Sequence, residues 1–509
     1  MKPAFPQPRL SLLLTIFLLP ALEFLQAGMV AFAAGPIMGQ IGASPEEYSL
    51  ATACYAGVAI ITISKQRWLV ERLGWRRFVQ YSLVIFVLGS GICGASESFQ
   101  QFLIGRVVMG LGGAAFLTSG RVIVNLIPPS PKRFVGIKFL ASGLACGIAF
   151  GPGIASLTVA NDAWNAIFGV LGAVAVVTGI LATVSLPLDL APKQLRTQAH
   201  PILFMLLASG SFLLLYVLQR SQYDVFSGAT LLAVGLAVAA FALYYWFRGM
   251  HRHERASLDL KALKQPRYIT GVILFTICYV LLGANNYMLP VLMQRTLGFP
   301  WQIVGEFQTL GLLSALAVWL LMAWMIPKWP GAKKFFVVGF VALIGFGWRL
   351  SSLNGNANLW SDILPALAAN GLFLMLVMGT TAMLTFRDVQ HNENVLSNAN
   401  QLKNMVGQLG MALGITLATI VLQWRTTEHY AALSNRINGA DISYAYLTQK
   451  ISESLATSSG LQTMPQAIAQ LAQQLSQQAT LLACLDFFSG VAWVGALGAL
   501  VMAVQRLMK

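Results

Sequence analysis

Long, uninterrupted runs of apolar residues limit the possible folds of this chain more than any other feature. A helix that crosses the hydrocarbon core of a bilayer needs about 20 mostly apolar residues. Segments that meet this requirement are residues 10–38, 48–64, 78–96, 101–126, 136–160, 164–187, 201–219, 226–247, 268–293, 301–326, 335–352, 361–385, 399–423 and 480–505. The second segment is the weakest, because Lys65, Arg67 and Glu71 cut it short. Unbroken runs exclude a β-barrel, whose strands alternate, so the sequence predicts an all-α integral membrane protein with fourteen spans.

Composition supports the same fold class. Of the 509 residues, 57% are hydrophobic and 10% are charged, whereas about a quarter of the residues are charged in soluble domains. A single soluble core stops growing beyond about 300 residues, so lipid must solvate most of this chain. The first apolar run continues from Leu10 to about Met38 without a small-residue cleavage site near Leu19. We therefore interpret it as an uncleaved first span rather than a signal peptide.

The distribution of charge predicts the orientation of the chain. The formal net charge is +15, from 33 Lys and Arg against 18 Asp and Glu. With the N-terminus inside, most basic residues fall in inner loops and tails, as the positive-inside rule requires. Acidic residues on the outer side are Glu46, Glu47, Glu97, Asp162 and Asp224. We expect a multi-pass protein of the plasma (bacterial inner) membrane with both termini cytoplasmic, whose positive charge faces membrane lipids and not nucleic acid.

Two loops divide the chain. The inner stretch 248–267 is basic and separates the first eight spans from the last six. The outer stretch 424–479 is long and rich in Gln and Ser, and Ile468, Leu471 and Leu475 recur in it at helical spacing. This spacing predicts an amphipathic helix that leads into the last span. Such a helix either caps the outer face or offers a docking surface for a periplasmic adaptor protein.

Short motifs occur in a fixed order along the chain. They are WLVERLGWRR at 68–77, LIGRVVMGLGGA at 103–114, GIAFGPG at 147–153, LPVLMQRTLGF at 289–299, NQLKNMVGQLG at 400–410, WRTTEH at 424–429, and Asp486 in the last span. The ordered set resembles the major facilitator superfamily, and in particular its fourteen-helix drug:proton antiporter family. The first motif departs from the family pattern, because Arg67 replaces a Gly and Glu71 replaces an Asp.

The resemblance implies a domain organisation and a transport cycle. It implies an N-terminal six-helix bundle over 1–200, two extra linker helices over 201–247, the basic cytoplasmic loop 248–267, and a C-terminal six-helix bundle over 268–509. A cavity between the bundles would open alternately to either side of the membrane. Residues that the resemblance implicates in this conformational change are Glu71, Gly74, Arg76, Gly147, Gly151 and Pro152. Gly143, Gly147 and Gly151 also recur every four residues, which gives their helix a smooth face for close packing.

Glu23 is the best candidate for a proton-coupling residue. An ionisable side chain inside the bilayer costs at least about 2.5 kcal/mol and is therefore a functional hypothesis by default. Glu23 lies about 20 Å along the first span at 1.5 Å per residue. Low dielectric favours a neutral carboxyl group and a nearby cation favours the carboxylate, so such a group can load and release protons. The alternative is a structural buried pair.

Arg106 enters the fourth span from outside, at a depth of about 8 Å. That depth is close to the depth of Glu23, which allows a charge-assisted contact, and the resemblance implies that Arg106 relays the proton event. The alternative is an Arg that binds backbone carbonyls. We expect Arg121 and Arg349, near helix ends, to extend toward the membrane surface. Glu306 is either solvated at the interface or a second acidic group of the cavity.

Polar and aromatic residues at mid-depth are candidates for substrate binding, with interhelical hydrogen bonding as the alternative for each. They are Gln26, Tyr55, Tyr279, Asn285, Asn286, Asn370, Asn404 and Gln408. Together with 18 Met and 29 Phe, they are typical of a large, adaptable apolar pocket.

These observations predict a proton-coupled secondary transporter that exports amphipathic, cationic or neutral, organic compounds. We expect no cofactor other than the proton gradient, no metal at His251 or His253, and no enzymatic activity. Two alternatives remain: a secondary transporter for a defined metabolite, lipid or siderophore, and a membrane receptor that does not transport.

Overall fold

The computed structural model describes residues 9–114, 116–128, 131–188, 196–198, 200–224, 228–253, 258–326, 328, 331–389, 392–435, 449–450 and 464–508. These residues form helices and no strands, and fourteen of their helices are long and apolar enough to cross a membrane. The spans are α1 Leu10–Phe32, α2 Pro45–Leu73, α3 Trp75–Gly94, α4 Phe99–Ile123, α5 Lys132–Ala160, α6 Ala166–Ser185, α7 Pro201–Ser221, α8 Ala229–Arg252, α9 Pro266–Thr296, α10 Trp301–Met325, α11 Lys333–Ser351, α12 Leu359–Thr385, α13 Asn394–Ser434 and α14 Gln466–Val504. The predicted all-α class with fourteen spans is confirmed.

The second span is longer than its apolar run. We predicted an end at residue 64, but α2 continues to Leu73 and stops at Gly74, whose φ of 78° lies in the left-handed region. Its start is a capping box in which Ser44 and Glu47 bond each other's backbone N–H. The prediction was wrong because the charged residues at this end lie outside the hydrocarbon core but still belong to the helix. The Arg67–Glu71 pair, one turn apart at 2.9 Å, supports helical backbone there.

The predicted outer loop 424–479 is also shorter than expected. α13 continues to Ser434 and α14 begins before residue 480, so both flanks of this stretch are helical. The predicted amphipathic segment with Ile468, Leu471 and Leu475 is the first part of α14. Residues 436–448 and 451–463 lie outside the described residues.

Packing brings the two halves of the chain together around their inner helices. α1 lies along α5 and α6, and α9 lies along α13. The halves meet where α5 packs on α10 and where α2 runs beside α13; α7 contacts α8, α2 and α13 at this second seam. Gly143 and Gly147 permit the close approach of α1 to α5. A Cβ atom at Gly147 would lie 2.6 Å from the Ala21 carbonyl oxygen, and one at Gly143 would collide with the Phe17 carbonyl oxygen.

Candidate functional site

The main cavity lies between the two halves, toward the side at which α1 begins. It contains about 740 Å³ of space, part of which is continuous with solvent. Its walls come from the ends of α4, α10 and α12 and from the beginnings of α5, α9 and α13. The lining residues are Leu117, Arg121, Ile137, Leu140, Ala141, Leu144, Phe275, Tyr279, Trp319, Met375, Met378, Gly379, Ala382, Met383, Phe386, Asn400, Lys403 and Asn404. In α12, residues Leu374–Met378 form a π-helical turn at this wall, an irregularity that occurs frequently at functional sites.

Glu23 lies immediately behind this wall, in the interior of the protein. Its side chain is only 9% exposed. The Oε2 atom accepts the backbone N–H of Leu117 at 2.7 Å, and Oε1 accepts Gln408 Nε2 at 3.4 Å. The Leu117 N–H is available because α4 is interrupted: one helical segment ends at Gly113 and the next begins at Phe116. The first N–H groups of a helix have no acceptor within that helix, so this interruption supplies a donor to the carboxylate.

Arg106 does not pair with Glu23. Its Nη1 donates to Gln26 Oε1 at 2.7 Å, and its guanidinium lies over the Tyr55 ring at 4.3 Å. Gln26 lies one helical turn further along α1 than Glu23. The contact that we considered between Arg106 and Glu23 is replaced by a neutral acceptor and an aromatic face.

Lys403 is a functional candidate that the sequence analysis missed. Its side chain is 7% exposed, and its Nζ donates to Tyr279 Oη at 3.3 Å and lies 4.8 Å from the centre of the Phe275 ring. It is also close enough for its charge to act on Glu23. The available signal was a single Lys within the apolar run 399–423.

α13 connects the carboxyl group to both halves of the protein. Asn404 donates to Thr118 of α4, and Gln408, one turn later on the same face, donates to Glu23 of α1. These contacts cross the seam between the halves. At the other seam, where α5 packs on α10, Trp319 Nε1 donates to Ser142 Oγ at 3.2 Å.

The predicted substrate-binding residues lie at several different places in the structure. Tyr279 and Asn404 line the main cavity, whereas Asn286 lines a smaller cavity nearer the opposite side. Asn285 Nδ2 donates to Asn370 Oδ1 at 3.3 Å, and both side chains are buried. Gln26 and Tyr55 surround Arg106, and Gln408 contacts Glu23, as described above.

The residues implicated in conformational change occupy two places. Glu71 accepts Arg67 Nε at 2.9 Å and both the N–H and the hydroxyl of Thr197 at 2.7 Å, so it fastens the segment after α6 to the end of α2. The Arg76 N–H donates to the Pro187 carbonyl at 3.3 Å. Gly147 and Gly151 face α1, and Pro152 lines the smaller cavity.

Three charged residues near span ends have different surroundings. Arg121 lines the main cavity with its guanidinium 5.3 Å from the centre of the Phe386 ring, so our expectation that it extends to the membrane surface was wrong. Glu306 is exposed and accepts Gln302 Nε2 at 2.9 Å, which matches the interfacial interpretation. Asp486 accepts from Arg425 at 2.5 Å and lies 2.6 Å from His429 Nε2, and so joins the outer parts of α13 and α14.

Fourteen apolar helices and a cavity between two packed halves define a polytopic membrane protein of the transporter class. The chain belongs to the Major Facilitator Superfamily, whose sequence model matches residues 16–415. The family and the relatives below make this protein a transporter and not an enzyme.

Two similar curated proteins are bacterial. The chain is 26% identical over 387 residues to multidrug resistance protein MdtD of Serratia proteamaculans, a match that covers 75% of this chain and 78% of the relative. It is 26% identical over 412 residues to MdtD of Escherichia coli O81, with 77% and 82% covered.

Solved structures share the fold across nearly the whole chain. A structure of a proton-dependent oligopeptide transporter superposes with a TM-score of 0.61 at 13% identity, covering 97% of this chain and 98% of the other. The human organic anion transporter MFSD10 (TETRAN) gives a TM-score of 0.56 at 15% identity, with 96% and 99% covered. At these identities the likeness shows the fold alone.

Proposed function

We propose that this protein is a proton-coupled secondary active transporter that exports amphipathic organic compounds by alternating access. The observation that carries the proposal is the position of Glu23. It is a buried carboxyl group beside the main cavity, and it is bonded to Gln408 across the seam between the halves. A proton that binds there changes a contact between the two moving parts.

Protonation would act through the hydrogen bonds of Glu23. Bonds to a carboxylate are stronger than bonds to a neutral acceptor. Proton uptake therefore weakens the contacts with the Leu117 N–H and Gln408, and it removes the negative charge that Lys403 experiences. Both changes loosen the attachment of α13 to the N-terminal half, which favours rearrangement of the cavity.

The cavity wall suits an amphipathic substrate. Phe275, Trp319 and Phe386 offer aromatic faces, and Met375, Met378 and Met383 offer flexible apolar surface. Met side chains adapt to ligands of different shape, and pockets with few polar groups in an apolar wall bind organic molecules. The bacterial relatives named as multidrug resistance proteins agree with such a substrate range.

Orientation and driving force complete the proposal. Under the positive-inside rule, both termini lie in the cytoplasm of a bacterium and the main cavity opens to that side, where an exporter loads. A membrane potential of 100 mV supplies about 2.3 kcal/mol per proton moved inward. This free energy supports roughly 50-fold accumulation of a neutral substrate.

Reconstituted liposomes test the proposal. With an imposed pH gradient and a pH-sensitive dye in the lumen, a transported amphipathic compound should produce proton flux that neither empty liposomes nor Glu23→Gln protein shows. Substrate-dependent flux that responds to one defined metabolite, and to no other compound of a diverse panel, would favour a dedicated transporter instead. Binding without any proton flux would favour a receptor.

A further inference from the structure

The charges at the main cavity do not balance. Arg121 and Lys403 line it, and the lining residues include no carboxylate. Glu23 lies behind the wall of this cavity and is the one buried carboxylate among the described residues. Two basic side chains therefore stand against one carboxyl group, so basic groups outnumber acidic groups at this cavity. A buried positive charge without a counter-charge is costly, and the cavity wall supplies no carboxylate to offset one.

Both cations also have unused hydrogen-bonding capacity. An ammonium group has three donors, and within the described residues Lys403 finds one oxygen acceptor, Tyr279 Oη. Its other contacts are the faces of Phe275 and Tyr279. Arg121 has five donors and faces the ring of Phe386. An anionic oxygen in the cavity would supply the acceptors and the charge that this wall lacks.

The remainder of the wall is suited to the apolar part of such a ligand. Trp319 is oriented by its bond to Ser142, and Met375 and Met383 lie in the same cavity. A site with two cations in an aromatic and Met-rich surround therefore matches a molecule with one acidic group on an apolar body. A cationic molecule of the same shape would meet two basic side chains and no carboxylate at the wall.

We infer that the substrate is an amphipathic organic anion, with its carboxylate or sulfonate held by Lys403 and Arg121 and its apolar body on Trp319 and the Met side chains. This inference rests on the proposed transport function and reverses the sign of the substrate charge expected from sequence. An inside-negative membrane potential assists the outward movement of an anion. The potential thus acts on the substrate as well as on the proton.

A set of probes that differ only in charge tests the inference. Pyrenebutyrate, pyrenebutanol and pyrenebutyl-trimethylammonium share one aromatic body and carry a negative, zero and positive charge. Their binding to the full-length protein in nanodiscs is measured by fluorescence, with empty nanodiscs correcting for partition into lipid. We expect the carboxylate to bind about tenfold or more tightly than the ammonium compound. Equal or tighter binding of the ammonium compound would overturn the inference.

Substitutions of Lys403 and Arg121 test whether these two residues cause the preference for the carboxylate. Lys403→Gln and Arg121→Gln should each weaken carboxylate binding about tenfold and leave pyrenebutanol within about twofold. Lys403→Arg should retain most of the preference. Arg349→Gln is the matched control, because Arg349 is exposed and bonds the Ser361 carbonyl away from the cavity. If carboxylate binding survives both neutral substitutions in protein that remains monodisperse, the anion site does not exist.

Glu23→Gln separates this inference from the proposed function. The substitution keeps the net cavity charge positive, so carboxylate binding should be at least as tight as in wild type while proton flux is lost. Loss of the carboxylate preference in Glu23→Gln protein would contradict the anion site. Normal proton flux with intact carboxylate binding would contradict the coupling role of Glu23 and leave the anion site standing.

Discussion

Gln408 of α13 donates its side-chain amide to the carboxylate of Glu23 in α1, with Nε2 and Oε1 3.4 Å apart. The two residues are 385 positions apart in sequence and belong to different halves of the protein. Because Glu23 also accepts the Leu117 N–H, its carboxyl group joins three helices at one point. A change in its protonation therefore changes how the halves are held together.

Substitution of Glu23 tests coupling in cells. We expect Glu23→Gln protein to reach the membrane in normal amount, because Gln has nearly the same shape and can keep the bond to the Leu117 N–H. Energised efflux should fall to the level of cells without the protein, because the amide binds no proton. Accumulation of a fluorescent substrate measures this, with Glu306→Gln as an exposed acidic control. Full efflux by the Glu23→Gln variant would refute the coupling assignment.

Close packing of α1 on α5 should be sensitive to side-chain size. Gly143→Leu places atoms against the Phe17 carbonyl, and overpacking of this kind typically costs about 1–3 kcal/mol. We therefore expect a lower thermal midpoint and less folded protein in detergent. Gly169→Leu is the matched control, since a Cβ atom there has open space around it and the residue is exposed. Equal midpoints for the two variants would show that α1 and α5 do not touch at this point.

Removal of the Glu71 carboxylate should release the segment that follows α6. Glu71→Ala leaves the Thr197 N–H and hydroxyl and the Arg67 side chain without their acceptor. An unsatisfied partner costs about 1–3 kcal/mol, so we expect faster proteolysis around Thr197 and a lower midpoint. Glu97→Ala, at an exposed loop position, should match wild type. Unchanged cleavage near Thr197 would show that Glu71 does not fasten this segment.

A stacked pair of histidines should make stability depend on pH. The rings of His200 and His253 lie 3.8 Å apart, and burial, followed by the positive charges of His253 and Lys65, lowers the pKa of His200. The folded protein therefore binds this proton less readily than the unfolded chain. Stability from this contact is complete above the unfolded value near pH 6.5 and is lost as the pH falls below it.

Thermal unfolding at about pH 7.5 and about pH 5.5 measures this dependence. The midpoint should fall in acid, and His253→Gln should reduce the fall because it removes one of the two charges. His251→Gln, two residues earlier at the end of α8, should leave the fall unchanged. A pH dependence that His253→Gln does not alter would show that the stacked pair is not its source.

Much of the fold was predictable from local sequence. Thirteen of the spans required only a run of apolar residues, and α2 differed because its helix outlasts its apolar run as far as Leu73. Likewise, the repeat of Gly143 and Gly147 correctly indicated a packing face, since it depends only on helical periodicity. Helix ends were less predictable where charged or polar residues continue a helix beyond the membrane, as in α13 and α14.

The sequence by itself determined the number of spans, the fold class and the presence of one carboxyl group inside the first span. Hydrophobic length and the burial of a charge are properties of a single segment, so they can be read from it. Only the tertiary structure decided that Glu23 bonds Leu117 and Gln408, that Arg106 bonds Gln26, and that Lys403 and Arg121 share a cavity. Those pairings depend on the rotation and interruption of helices from different halves of the chain, which no single segment encodes.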